Sequence, residues 1–150
     1  MRALVVGGAG FIGSNLVDRL IKDNHQVMVL DDLSTGKYEN ISNKDISFYQ
    51  KDITSVEDWK ILEGVDVVFH LAAKARVQPS IENPIEFNNV NVSGLLNILH
   101  SCVKYKVKRF VYSSSSSVYG NVEEFPTSET SPLNPMSPYA LQKLIGEQYC

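Results

Sequence analysis

The sequence predicts an α/β chain: a parallel sheet, doubly wound by helices on both faces, in strand order 3-2-1-4-5. Three observations carry that prediction. Short apolar runs alternate with amphipathic segments along the 150 residues. The first apolar run breaks into the glycine-rich turn Gly7-Gly8-Ala9-Gly10-Phe11-Ile12-Gly13, and a helical pattern starts at once. The second run ends on a carboxylate, Asp31, about 20 residues after that turn. Right-handed crossovers then place the reversal of strand order beside the first strand, with a crevice at the carboxyl ends of strands one and four.

The strands are expected at Ala3–Val6, Gln26–Leu30, Ile46–Tyr49, Val65–His70 and Arg109–Ser113. Val-Asp-Val-Val-Phe and Arg-Phe-Val-Tyr are rich in the branched and aromatic residues that suit a pleated surface. Helices are expected at Phe11–Lys22, Ser55–Leu62, Pro84–Tyr105 and from Pro138 onward. Thr54 and Glu57 have the spacing of a capping box. Asn83 and Ser137 each place a capping side chain just before a first-turn proline. In the long helix Phe87, Val90, Asn91, Gly94, Leu95, Ile98 and Cys102 recur at helical spacing, one face for the sheet. Two long polar connections, 32–45 and 118–137, are expected to carry function, and four prolines from Pro126 to Pro138 stiffen the second.

Bulk properties narrow the classes. With 43% hydrophobic residues and a net charge of −3, the chain reads as one globular, mildly acidic domain. No basic stripe marks a nucleic-acid surface. Cys102 and Cys150 have no metal-site spacing and fit a reducing compartment. No apolar run is long enough for a signal-peptide core or a membrane span, so the expected location is the cytoplasm, with no membrane partner. The sequence stops inside a helical pattern with no stop signal, at Gly146-Glu147-Gln148-Tyr149-Cys150. It is therefore expected to be the front part of a longer protein.

The glycine turn has a chemical meaning. Glycines let backbone approach a ligand, and the following helix offers unpaired N–H groups and the positive end of its dipole, so a pyrophosphate is the natural guest. Gly8, Gly10 and Gly13 fit Gly-x-Gly-x-x-Gly; Gly7, Gly10 and Gly13 fit the wider Gly-x-x-Gly-x-x-Gly. Farther on, Tyr139 and Lys143 stand four apart on a helix and share a face. A phenol is a poor base at neutral pH, and an ammonium beside it favours the phenolate, which makes such a pair a usable acid/base. The run 113–117 is five serines at the end of the fifth strand, where a hydroxyl can bond a substrate oxygen and relay a proton. His70 reads as a strand-end core residue.

Together, the glycine turn, Asp31-Asp32-Leu33-Ser34-Thr35-Gly36, Lys51-Asp52-Ile53, His70-Leu71-Ala72-Ala73, Asn91-Val92-Ser93-Gly94, the serines running into Val118-Tyr119-Gly120, and Tyr139 to Lys143 resemble the extended short-chain dehydrogenase/reductase family. Within it the sequence is most similar to nucleotide-sugar 4-epimerases of the UDP-glucose 4-epimerase type. The resemblance runs the whole chain and implies a Rossmann domain, residues 1–150, cut before its substrate domain. It implies NAD as cofactor, with Gly7, Gly10, Phe11, Ile12 and Gly13 at the pyrophosphate and Asp31 on the adenine ribose. A carboxylate at that place selects NAD over NADP. It also puts Asp52 and Ile53 beside the adenine, and Leu71, Ala72 and Ala73 along the cofactor.

By the same resemblance Ser115 is the catalytic hydroxyl, Tyr139 the base and Lys143 the lysine on the nicotinamide ribose. The implied reaction is transient oxidation at carbon 4 of a nucleotide sugar, UDP-linked, with non-stereospecific return of the hydride. The implied assembly is a homodimer of the full-length protein through the helices at Pro84–Tyr105 and from Pro138. A reductase or dehydratase of the same family is the alternative, and a non-catalytic NAD-sensing domain another. Against dehydration, Ser116 and Ser117 stand where family 4,6-dehydratases carry Asp-Glu, the acid/base pair elimination needs. The intact Ser115, Tyr139 and Lys143 argue against a dead domain. Arg76 and Gln142 depart from the family pattern, each at a position often occupied by serine. Arg76 is either a solvated loop cation or, facing the pocket, a partner for a carboxylate or phosphate, which leaves a uronic-acid sugar open.

Overall fold

The computed structural model describes residues 1–55 and 57–150. Five parallel strands form one sheet: β1 (Arg2–Val6), β2 (Gln26–Asp31), β3 (Ser47–Gln50), β4 (Val67–His70) and β5 (Arg109–Tyr112). Their order is β3-β2-β1-β4-β5, as the crossover argument requires. The register aligns Val6 with Leu30 on one side and His70 on the other, and His70 with Tyr112. Thus β1, β2, β4 and β5 end side by side on one edge.

Period-two alternation sorts the central strands into two cores. Leu4, Val6, Met28, Leu30 and Val68 face one layer with Ile98, Cys102, Trp59 and Leu62. Ala3, Val5, Val27, Val29 and Val67 face the other with Val17, Leu20 and Ile41. The first helix, α1 (Phe11–Lys22), buries Gly13, Ser14, Val17 and Leu20 at helical spacing.

The segment expected as a helix at Ser55–Leu62 is different. Among the described residues only Lys60–Leu62 is helical, as a 3₁₀ turn. No capping box forms: the Thr54 amide donates to Asp52 Oδ1 at 2.8 Å, and Glu57 pairs with Lys51. An aspartate turn takes up the chain where a helix would begin, and Trp59, 2% exposed, is drawn into the core. Eight residues cannot repay helix nucleation against those competitors.

The long helix is also more articulated than its periodicity suggests. The run from Pro84 to Lys104 comprises α3 (Pro84–Asn88), a π-helical stretch Asn89–Gly94, and α4 (Leu95–Lys104). It does bury the expected face, including Phe87, Asn91, Leu95, Ile98 and Cys102. Asn83 makes no side-chain cap, because a short helix not foreseen in the sequence, α2 (Val77–Glu82), runs into it from the other side. The last helix, α5 (Pro138–Tyr149), is capped as expected, with the Ala140 amide donating to Ser137 Oγ at 3.1 Å.

Candidate active site

A cleft of about 620 Å³ opens at the carboxyl edge of the sheet, where the strand order reverses. Its floor is the glycine turn. Gly7 has φ +84°, and a Cβ there would come within 2.6 Å of the Ala72 amide nitrogen, so only glycine lets β1 and β4 leave the sheet so close together. A Cβ on Gly13 would overlap the Gly7 carbonyl, so a side chain would push α1 off the turn. The Ser14 amide donates to the Gly10 carbonyl at 2.9 Å, closing the first helical bond. The amides of Phe11 to Gly13, at the start of α1, precede any possible intrahelical acceptor, and all three residues line the cleft.

Eleven of the residues expected at the cofactor line this one cleft, Gly7, Gly10, Phe11, Ile12, Gly13, Asp31, Asp52, Ile53, Leu71, Ala72 and Ala73, whereas Tyr139 and Lys143, expected at its nicotinamide end, do not. Ser34, Thr35, Lys51 and Thr54 join them, as do Glu86, Asn89 and Val90 from the articulated helix. Asp31, 7% exposed, organises its end of the cleft. Its Oδ2 accepts from the Ala9 amide and its Oδ1 from the Leu33 amide, each at 2.9 Å. The carboxylate therefore ties the glycine turn to the end of β2 while keeping further lone pairs for a ligand. The 32–45 connection is pinned to the same turn, since the Ala9 carbonyl accepts from the Lys37 amide and from Asn40 Nδ2. Lys74 is ion-paired with Glu86 at 2.7 Å.

Ser115, Tyr139 and Lys143 do not line that cleft. They gather beyond the ends of β4 and β5. Lys143 Nζ donates to the Ser113 carbonyl at 2.7 Å, which ties α5 to the end of β5. The same nitrogen lies 5.9 Å from the Tyr139 ring centre, so the four-residue spacing does bring the pair together. Burial holds the Lys143 ammonium down to about 8. Ser115 caps the 3₁₀ turn Ser116–Tyr119, its Oγ accepting from the Ser117 amide at 3.2 Å and donating to Ser117 Oγ at 3.1 Å. His70 lies among these groups as a core residue, 1% exposed, and burial with the nearby Lys143 charge pushes it down to about 3, so it stays neutral.

Two polar links that the sequence did not disclose tie α5 to the segment that follows β4. Ser80 of α2 is fully buried; its hydroxyl donates to the Val77 carbonyl and accepts from the Tyr139 amide at 3.1 Å. That bond satisfies one of the unpaired amides of α5, while Pro138 brings none and Ser137 takes the next. Asn91, in the π-helical stretch, accepts from the Lys74 amide at 2.8 Å and donates to the Lys74 carbonyl and Gln142 Oε1, each at 3.0 Å. A helical spacing marks Asn91 as inward-facing but not as a bridge. Gln142, a departure in the sequence, is its partner in the interior. Arg76 is exposed at the start of α2 with φ +86°, a conformation side chains rarely adopt. Among the described residues no His, Cys, Asp and Glu group could hold a metal ion, and no helix is long and apolar enough to cross a membrane.

A glycine turn, an acid ending the second strand and a tyrosine–lysine helix on a sheet of this order define a dinucleotide-binding α/β class. The chain belongs to the NAD dependent epimerase/dehydratase family, whose model matches residues 3–150. Among its relatives, a putative UDP-glucose 4-epimerase from Methanocaldococcus jannaschii is 46% identical over 97% of this chain and 48% of its own length. UDP-glucose 4-epimerase from Mycolicibacterium smegmatis is 44% identical over 99% of this chain and 50% of its own. The Thermus thermophilus UDP-glucose 4-epimerase in complex with NAD superposes with a TM-score of 0.93 at 42% identity, over 99% of this chain and 49% of that one. The chain thus spans about half the length of the curated relatives it matches.

Proposed function

We propose that this chain is the NAD-binding Rossmann domain, residues 1–150, of an NAD-dependent nucleotide-sugar 4-epimerase that acts on a UDP-linked sugar. The observation that carries the reading is the cleft that collects eleven of the residues expected at the cofactor, tied through Asn91 and Gln142 to the helix that carries the Tyr139–Lys143 pair. The cleft fits the cofactor. Its floor is the glycine turn, the first residues of α1 line it with amides that no intrahelical carbonyl can reach, and Asp31 stands in its lining to accept from the ribose hydroxyls. A 2′-phosphate would meet that carboxylate, which favours NAD over NADP.

The residues then divide the work. Gly10, Phe11, Ile12 and Gly13 hold the pyrophosphate through backbone amides, with Gly7 clearing its path. Asp52 and Ile53 flank the adenine; Leu71, Ala72 and Ala73 lead toward the nicotinamide. Lys143 holds the nicotinamide ribose beside Tyr139. Tyr139 takes the proton from the sugar's 4-hydroxyl and returns it, and Ser115 bonds the same oxygen. NAD, when bound, supplies the hydride acceptor and donor at carbon 4 and ends unchanged. Relatives in complex with UDP-glucose and with UDP-N-acetylmuramic acid support a UDP-linked substrate. We place the full-length enzyme in the cytoplasm, as a homodimer through the Pro84–Lys104 helix and α5.

The test is to incubate full-length enzyme with UDP-sugars and follow interconversion at carbon 4 by NMR. Tyr139→Phe should lower the rate by about 10²- to 10⁴-fold while NAD stays bound. Released keto product, or steady NADH consumption, would replace the epimerase reading with a dehydratase or reductase. Near-normal turnover of the variant would remove Tyr139 as the base.

A further inference from the structure

Lys143 poses a problem that the functional reading leaves open. An ammonium carries three donors, and this one is 3% exposed. Among the described residues its hydrogen bonds reduce to one, to the Ser113 carbonyl. What surrounds it otherwise is aromatic. The Tyr112 ring centre lies 4.9 Å from Nζ and the Tyr139 ring centre 5.9 Å. Both are within cation–π range, and the interaction strengthens where water is excluded.

Tyr112 is itself fixed. It ends β5, and its ring packs against Gly146, one turn beyond Lys143 on α5. A Cβ at Gly146 would lie 2.7 Å from Tyr112 Cε1 and overlap Cζ and Oη. A glycine inside a helix is disfavoured, and the Tyr112 ring accounts for this one. The Tyr112 hydroxyl is buried without a partner, and burial pushes its titration far above the ordinary phenol range. It therefore faces Lys143 as a neutral ring. From β4, the His70 ring lies tilted beside the same ring, centroids 6.1 Å apart, and is also neutral. The nearest carboxylate of α5, Glu147, is engaged by Ser114 Oγ.

We propose that Tyr112 is a positioning residue: its ring, seated against Gly146, holds the Lys143 ammonium in place beside Tyr139. The consequence for catalysis rests on the epimerase reading; the clamp itself does not. Tyr112 touches neither sugar nor cofactor in this account and acts through Lys143.

The experiment uses the full-length enzyme and three variants: Tyr112→Leu, Tyr112→Phe, and Tyr112→Leu combined with Gly146→Ala. Tyr112→Leu should lower kcat about tenfold or more with KM for the sugar within about threefold. Tyr112→Phe keeps the ring and should restore kcat to within about threefold of the parent. The double variant fills the space the ring leaves, so it should recover the thermal midpoint without recovering kcat. In parallel, selectively labelled lysine gives the Lys143 ε-CH₂ NMR signal, shifted upfield by ring current. That shift should persist in Tyr112→Phe and collapse in Tyr112→Leu. A double variant that regains kcat along with its midpoint would reduce Tyr112 to packing and overturn the proposal, as would an unmoved Lys143 signal in Tyr112→Leu. An inactive parent enzyme would strike the epimerase reading alone, with the NMR signal still deciding the clamp.

Discussion

Lys143 brings a charge into a nearly sealed place, and the cost has a sign that can be worked out. Burial holds it down to about 8, below the ordinary lysine value of about 10.4. Below pH 8 the lysine is charged both folded and unfolded, so folding bears the full cost of burying the ammonium. Between about 8 and 10.4 the folded chain gives up the proton while the unfolded chain keeps it, so stability rises with pH across that window. Lys143→Met should therefore be more stable than the parent at pH 7, by about 1–3 kcal/mol, with the gap closing by pH 10.5. Urea denaturation of the two proteins at both pH values measures this. A variant less stable at pH 7 would mean that the aromatic and carbonyl partners outweigh desolvation.

The element that ties the two halves of the site together is the π-helical stretch Asn89–Gly94. A turn of that kind re-aims side chains in the middle of a helix and is often found at functional sites. Here it carries Asn91 inward to the strand-four loop and to α5, and seats Gly94 against Ile53, where a Cβ would lie 2.7 Å from Cγ1. Asn91→Ala would leave the buried Gln142 amide oxygen and both backbone groups of Lys74 without their partner. The expected loss of unfolding free energy is about 2–3 kcal/mol, read by urea denaturation. Hydrogen exchange should show the loop from Leu71 to Arg76 opening more often than in the parent. A loss under about 0.5 kcal/mol would mean that water replaces the amide without cost.

At the level of the chain as a unit, the cleft is lined by residues from Gly7 to Val90, and the relatives are about twice as long as this chain. The 150-residue chain is accordingly expected to bind NAD in a calorimetric titration and to leave UDP-glucose unconverted. Conversion by the chain alone would show that no further domain is needed for the sugar; absence of NAD binding would show that this cleft needs support from outside.

Much of this molecule was legible in one dimension. The strand order follows from alternating periods and right-handed crossovers, and the glycine turn with Asp31 located the cleft because both lie at strand ends that chirality brings to one edge. Tyr139 and Lys143 are neighbours because helix geometry puts positions four apart on one face. These are local rules, valid before any packing occurs. The helix expected at Ser55–Leu62 shows their limit: among the described residues its helical spacing lost to an aspartate turn at Asp52 and to the burial of Trp59. The bond between Asn91 and Gln142 spans 51 positions, that between Ser80 and Tyr139 spans 59, and nothing in either short stretch names the other. Gly146 reads as an ordinary helix residue until the Tyr112 ring fills the space beside it. Pairings of this sort come into being when layers close at atomic density, where one methyl group is enough to decide what fits.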